Sequence, residues 1–200
     1  MQPCNRDQID AIAVELGSPG GSLVVFAAET GLRTNEWAAL ERRDLDLAGK
    51  AVTVQRRFSR GVLTPYPKTE GWRRRVPLTA RAVEAVRALT ARIDTPLLFP
   101  ASEGGRIHLD TWRNREWYPA LGAAGITKRK PYCLRHTFAT GALASGVSVF
   151  ELARLLGSSV REIDQTYGHF AHDSEETIRT LLEARAARSG VDVASDERRE

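Results

Sequence analysis

The apolar positions of this 200-residue chain fall mostly at helical spacing. Asn5 with Gln8 has the form of a capping box, and Ile9, Ile12, Ala13 and Leu16 follow at three- and four-residue intervals. Gly17–Gly21 is a break, after which Ser22–Glu29 reads as an apolar, buried helix leading to Arg33. The period then changes. Val52 and Val54 alternate with polar neighbours, Ser59–Gly61 is a turn, Val62–Tyr66 returns as a second strand, and Arg75–Leu78 supplies a third. Helical spacing resumes with Thr79 as a cap for a helix to about Ile93 and Asp110 for another to about Ala123. Ser148 with Glu151 and Ser159 with Glu162 repeat the capping signature on either side of Leu155-Leu156-Gly157, which puts Tyr167 at a helix end just before Gly168. Asp173–Arg188 is a last amphipathic helix with Ile178, Leu181, Leu182 and Ala186 along one stripe. The pattern predicts an α+β, mainly α domain over residues 1–188, with a small three-stranded antiparallel sheet, and a disordered charged tail over residues 189–200.

Composition narrows this picture. At 42% hydrophobic and 27% charged residues, the chain fits one domain with an adequate core. No apolar run approaches membrane-spanning length and the amino terminus lacks a basic-then-apolar signal, so a cytoplasmic or nucleoid-associated protein without a membrane partner is expected. Cys4 and Cys133 have no spacing suited to a zinc site or a disulfide framework and read as free thiols. His108 and His172 lack ligand partners, so neither metal nor cofactor is expected, and Trp37, Trp72, Trp112 and Trp117 read as packing groups. The net charge of +4 is modest, but its distribution is uneven. Arg56, Arg57, Arg60, Lys68, Arg73, Arg74 and Arg75 cluster around two strands with Glu70 as the sole nearby acid, and Lys128, Arg129 and Lys130 form a second run. Such clusters are the footprint expected for the phosphates of double-stranded DNA.

Three stretches carry candidate chemistry: TGLRTNE at Thr30–Glu36, PYCLRHTFATGAL at Pro131–Leu143 and LLGSSVREIDQTYGHF at Leu155–Phe170. A tyrosine hydroxyl can form a covalent enzyme intermediate, but it is weak while protonated. A phosphodiester transition state gathers negative charge on its non-bridging oxygens, and fixed cationic donors are the means of stabilising it. Arginine suits this role because its planar fork donates two parallel hydrogen bonds and stays charged. Arg33 and Arg135 each stand at the start of a predicted helix, one capped by Thr34 and the other opened by Pro131, where free N–H groups also favour an anion.

The order of these pieces resembles the tyrosine recombinases, the phage integrase family. TGLRTNEWAAL is similar to the family's first arginine box, which implies that Arg33 binds the scissile phosphate and Glu36 is a buried supporting acid. YPKTEGWRRRVPL at Tyr66–Leu78 resembles the strand-turn-strand of the catalytic lysine, a role that falls on Lys68 as proton donor to the leaving 5′ oxygen. CLRHTFAT resembles the second arginine box, giving Arg135 and the adjacent His136, and TYGHF resembles the nucleophile segment, giving Tyr167 with His169 in support. The resemblance runs from about Asn5 to Glu183. Two positions depart from the family pattern. Tyr132 stands three residues before Arg135 where the family has His, and Ser158 follows Leu-Leu-Gly where it has His or Trp; both can still donate hydrogen bonds.

The resemblance implies a catalytic domain that cleaves and rejoins DNA through a 3′-phosphotyrosyl link, without ATP or metal, assembled with other recombinase subunits as a tetramer on DNA. The family's separate N-terminal DNA-clamping domain is missing from the residues given. Two rivals stay open: a catalytically impaired DNA-binding relic, and a topoisomerase-like enzyme that nicks and closes strands without exchanging them.

Overall fold

The computed structural model describes residues 2–66, 73–168, 179–180 and 182–187. Helix α1, Arg6–Thr30, starts at the expected capping box: Asn5 Oδ1 accepts from the Gln8 amide at 2.8 Å, and Gln8 Oε1 accepts from the Asn5 amide at 3.2 Å. Its length and apolar content match a membrane-crossing helix, contrary to the expectation from sequence. The helix is nevertheless broken at Gly17 and Ser18, and Ile9, Ile12, Leu23, Val24 and Phe26 are buried in the protein's own core. It packs against α3 (Ala80–Arg87), α5 (Tyr118–Ala123) and α6 (Cys133–Ala144).

The strands differ from expectation in their partners. Short strand β1 (Leu45–Asp46) pairs with β2 (Ala51–Val54), and β2 pairs with β5 (Arg74–Pro77), all antiparallel, with Val52 opposite Val76. The predicted second strand is instead β4 (Val62–Pro65), paired with β3 (Arg56–Ser59) in a separate hairpin. Burial follows the split: β2 buries Ala51, Val52 and Val54 and β5 buries alternate residues, whereas Val62 and Leu63 of β4 are exposed.

Helix α3 ends at Arg87 rather than near Ile93. Arg42 takes the Thr90 carbonyl at 2.8 Å, and Arg92 turns to Asp94 and to the Ser102 carbonyl, so the backbone there is engaged by side chains rather than by a continuing helical ladder. The segment expected as one helix from Asp110 is α4 (Leu109–Trp112), a π turn over Arg113–Trp117, and α5. The wider turn brings Trp112 and Trp117 to the same face, where their rings stack 5.8 Å apart within the core.

Two apolar clusters meet along α6. The larger contains Cys133 and Leu134 together with residues of α1, β2 and β5 and the buried Trp37, Trp112 and Trp117. The smaller joins Ala139 and Leu143 to α7 (Val149–Leu156) and α8 (Val160–Tyr167), and includes Ile163 and Tyr167. Ser148 and Ser159 cap α7 and α8 as the sequence predicts, each accepting from the amide three residues on. The predicted last helix is helical at residues 179–180 and 182–187, where Leu182 is exposed; Ile178, Leu181 and the 189–200 tail lie outside the described residues.

Candidate active site and nucleic-acid interface

Arg33 and Arg135 are brought together by the turn between α7 and α8. Arg33 donates to the carbonyls of Leu156 (3.2 Å) and Gly157 (2.8 Å) and to Ser158 Oγ (3.0 Å). Arg135 donates to the carbonyls of Gly31 (2.8 Å) and Leu156 (2.9 Å), and to the same Ser158 Oγ at 3.0 Å. Two guanidinium groups far apart in the chain thus share two acceptors. Gly157 makes the turn possible: its φ of 58° is a left-handed conformation, and a Cβ there would lie 2.9 Å from Nη1 of Arg74. Gly31 is equally constrained, since a Cβ would meet Phe138 and Leu156 at 2.5 and 2.7 Å.

Helix α2, Thr34–Trp37, is a single turn whose cap is Arg33 itself, not Thr34; the Arg33 amide donates to Glu36 Oε2 at 2.8 Å. Glu36 is fully buried and receives a bidentate pair from Arg74 at 3.0 and 2.8 Å, a hydrogen bond from the Tyr66 hydroxyl at 2.9 Å, and Arg33 Nη1 at 3.3 Å. Burial pushes its carboxyl upward, but the Arg74 pair and the Arg33 contacts outweigh this and hold it at about 2. Arg74 also donates from Nε to the Leu155 carbonyl at 2.6 Å, tying β5 to the turn that holds both arginines. Glu36 is therefore the counter-charge of the site.

Tyr167 ends α8 and is only 4% exposed. Its ring lies 5.3 Å from that of His136, which meets the Tyr132 ring edge-on at 5.1 Å. Burial, reinforced by Tyr132, pushes the Tyr167 hydroxyl up to about 12, against the opposing charge of Arg135. Burial also lowers His136, and the charge of Arg135 adds to the effect. Arg135 is 2% exposed, whereas the Arg33 side chain keeps 21% of its surface. Tyr132, at the α6 cap, is 39% exposed. Lys68 and His169 lie outside the described residues, as do Trp72 and His172.

The basic cluster divides. Arg56 and Arg74, expected to face DNA, are buried and turned inward: Arg56 holds Asp44 with both Nη atoms (2.8 and 3.1 Å) and Glu41 at 3.1 Å. Their inward direction follows from the strand period and from carboxylates that composition could not locate. Arg129 is also engaged internally, donating to the Pro3 carbonyl at 2.9 Å and facing Cys4 Sγ at 3.7 Å. Arg60, Arg73, Arg75, Lys128 and Lys130 are exposed; Arg75 pairs with Asp46, and Lys128 lies 4.3 Å from the Tyr118 ring centre. Arg57 is half-buried against the Tyr66 ring.

Sequence reading missed Tyr66 as a partner of Glu36; a tyrosine at a strand end gives no signal of the acid it meets. It also missed Arg106, which lies over Phe58 beside Gly61 on the hairpin. Among the described residues no group of three or more His, Cys, Asp or Glu side chains is arranged to hold a metal ion.

The model of the phage integrase family matches residues 7–174. The putative prophage phiRv2 integrase of Mycobacterium tuberculosis is 28% identical over 190 residues, covering 91% of this chain and 51% of that protein. The chain spans about half the length of the curated relatives it matches. Among solved structures, the Tn1549 transposon integrase in complex with circular intermediate DNA gives a TM-score of 0.71 at 20% identity, covering 91% of this chain and 66% of that one. The catalytic domain of bacteriophage HP1 integrase gives 0.62 at 20% identity, covering 90% and 94%. These structural likenesses are of fold, and the match across residues 7–174 establishes the lineage: the chain belongs to the phage integrase family.

Proposed function

We propose that this chain is the catalytic domain of a site-specific tyrosine recombinase that cuts and rejoins double-stranded DNA. The observation that carries this reading is the shared platform: Arg33 and Arg135 both donate to the Leu156 carbonyl and to Ser158 Oγ, on the turn leading into the helix that ends at Tyr167. A phosphate approaching from the more open Arg33 side meets two fixed guanidinium donors, with Ser158 and Tyr132 as further hydrogen-bonding groups. Glu36 and His136 support the cationic pair and the nucleophile helix, and His169 follows the nucleophile.

In this mechanism the Tyr167 hydroxyl gives its proton to solvent, its oxygen attacks the scissile phosphorus as the bond to the 5′ oxygen breaks, and Lys68 supplies a proton to that leaving oxygen. The product is a 3′-phosphotyrosyl link and a free 5′ hydroxyl. Attack by the 5′ hydroxyl of a partner strand reverses the chemistry and releases Tyr167. Because Tyr167 is buried and burial keeps its hydroxyl protonated, α8 has to turn it toward the phosphate for cleavage. Arg57, Arg60, Arg73, Arg75, Lys128 and Lys130 contact the DNA backbone, and further subunits assemble on the DNA, as a tetramer, in the cytoplasm at the nucleoid. The family relationship favours this reading over a DNA-binding relic or a nicking-closing enzyme.

A nicked suicide duplex carrying the recombination site, resolved on a denaturing gel, tests the assignment. The full-length wild-type protein is expected to form a covalent adduct that Tyr167→Phe abolishes while DNA affinity stays nearly unchanged. An adduct persisting in Tyr167→Phe, or none in the wild type, overturns it.

A further inference from the structure

We propose that Cys4 and Cys133 form a reversible intramolecular disulfide, a redox modification site that clamps the segment before α1 onto the helix carrying Arg135. The two sulfurs lie 3.6 Å apart, and both residues are buried, at 4% and 0% exposure. A bond between them requires closure to about 2.05 Å, a movement small beside a rotamer change.

The surrounding backbone is already fixed for the reaction. The Cys4 amide donates to Thr137 Oγ1 at 2.8 Å, while that hydroxyl lies 3.1 Å from both the Cys4 and the Cys133 carbonyls. Arg129 closes the other side, its Nη1 at 2.9 Å from the Pro3 carbonyl and 3.7 Å from Cys4 Sγ, and its own carbonyl accepts from Trp117 Nε1 at 2.7 Å. The two thiols are chemically unequal. The hydrogen bond from Cys133 lowers Cys4 to about 7 despite burial, with Arg129 contributing, while the same hydrogen bond and burial raise Cys133. Cys4 is thus the thiolate that attacks an oxidant, and Cys133 the thiol that resolves the product.

With a peroxide as oxidant, the Cys4 thiolate attacks one peroxide oxygen and the O–O bond breaks, leaving a sulfenic acid at Cys4 and releasing hydroxide. The anionic partner that kept Cys133 protonated is then gone. Its sulfur attacks Cys4, the S–O bond breaks, and water leaves; two electrons have passed from the thiols to the peroxide. Access requires local opening of the residues ahead of α1. The closed loop spans 129 residues of separation, so the bond constrains most of the unfolded chain.

The full chain, folded and treated with hydrogen peroxide, is unfolded in alkylating agent and peptide-mapped without reductant. The expected result is a Cys4–Cys133 cross-linked peptide in monomeric protein, reversed by dithiothreitol, with a thermal midpoint several degrees above that of the reduced form. Cys133→Ser is expected to stop at a Cys4 sulfenic acid trapped by dimedone; if that variant fails to unfold cooperatively, the wild-type map alone decides. Two free thiols after excess peroxide, a sulfinic acid at Cys4 beside free Cys133, or a disulfide only between two copies of the chain each overturn the proposal.

Discussion

Glu36 joins three separate parts of the site. Its carboxylate holds Arg74, Tyr66 and the Arg33 cap at once, in a place where an unpaired charge is expensive. Glu36→Gln keeps the shape but removes the buried charge that Arg74 and Arg33 meet there, and a loss of about 3–5 kcal/mol on chemical denaturation is expected, the range for breaking a buried pair. The same residue sets an acid limit. Its carboxyl is depressed to about 2 in the folded state, so the unfolded chain binds the proton more readily. The resulting stabilisation is present above the ordinary carboxylate range and is lost as pH falls from about 4.5 towards 2. A pH series of denaturation midpoints should show that decline in the wild type and a shallower one in Glu36→Gln.

Tyr132 is a different case. It is partly exposed and sits at a helix cap, so replacement by an imidazole disturbs little packing. Tyr132→His is expected to leave Tyr167-dependent cleavage at least as fast as in the wild type, because a well-placed acid or base contributes on the order of 10² to 10⁴ in rate. Single-turnover adduct formation measures it.

At the scale of elements, the turn between α7 and α8 aligns the two arginines, and Gly157 is the hinge of that alignment. Alanine there would have to adopt a left-handed conformation and would press on Arg74. Gly157→Ala is expected to lower stability by about 1–2 kcal/mol and to depress cleavage more than DNA binding, because the Leu156 and Ser158 acceptors shift while the surface cations stay. Comparing denaturation midpoints, adduct yield and affinity in the same variant separates these effects. The capping boxes of α1 and α7 and the Ser159 cap of α8 were legible because a cap is a local contract between residues three apart. Strand pairing was not, because β1 is two residues long and has no periodicity of its own, yet it pairs with β2 in the sheet in place of the predicted Val62–Tyr66 strand.

For the whole molecule, the division of the arginines predicts how binding responds to salt. Each phosphate neutralised by a surface cation adds about −0.9 to the slope of log affinity against log salt. Arg73→Ala, at an exposed position, should therefore flatten the slope by about that amount. Arg56→Ala should leave the slope intact and instead cost stability, since its guanidinium is committed to Asp44 and Glu41. Affinity titrations at several salt concentrations, paired with denaturation of the same variants, distinguish a DNA-facing cation from an internal one.

Most helix starts, the free thiols, the family and the order of its motifs were determined by sequence alone, because each depends on residue identity at short, fixed separations. The direction of each arginine was decided only by tertiary structure. Arg73, Arg74 and Arg75 are consecutive and chemically identical, yet the strand period turns Arg74 into a buried acid and its neighbours outward. That Cys4 meets Cys133, that Tyr66 meets Glu36, and that Arg33 and Arg135 share one turn are likewise contacts across long separations. They arise when apolar faces pack and bring polar groups into reach, and no local pattern in the chain encodes which partner each will find.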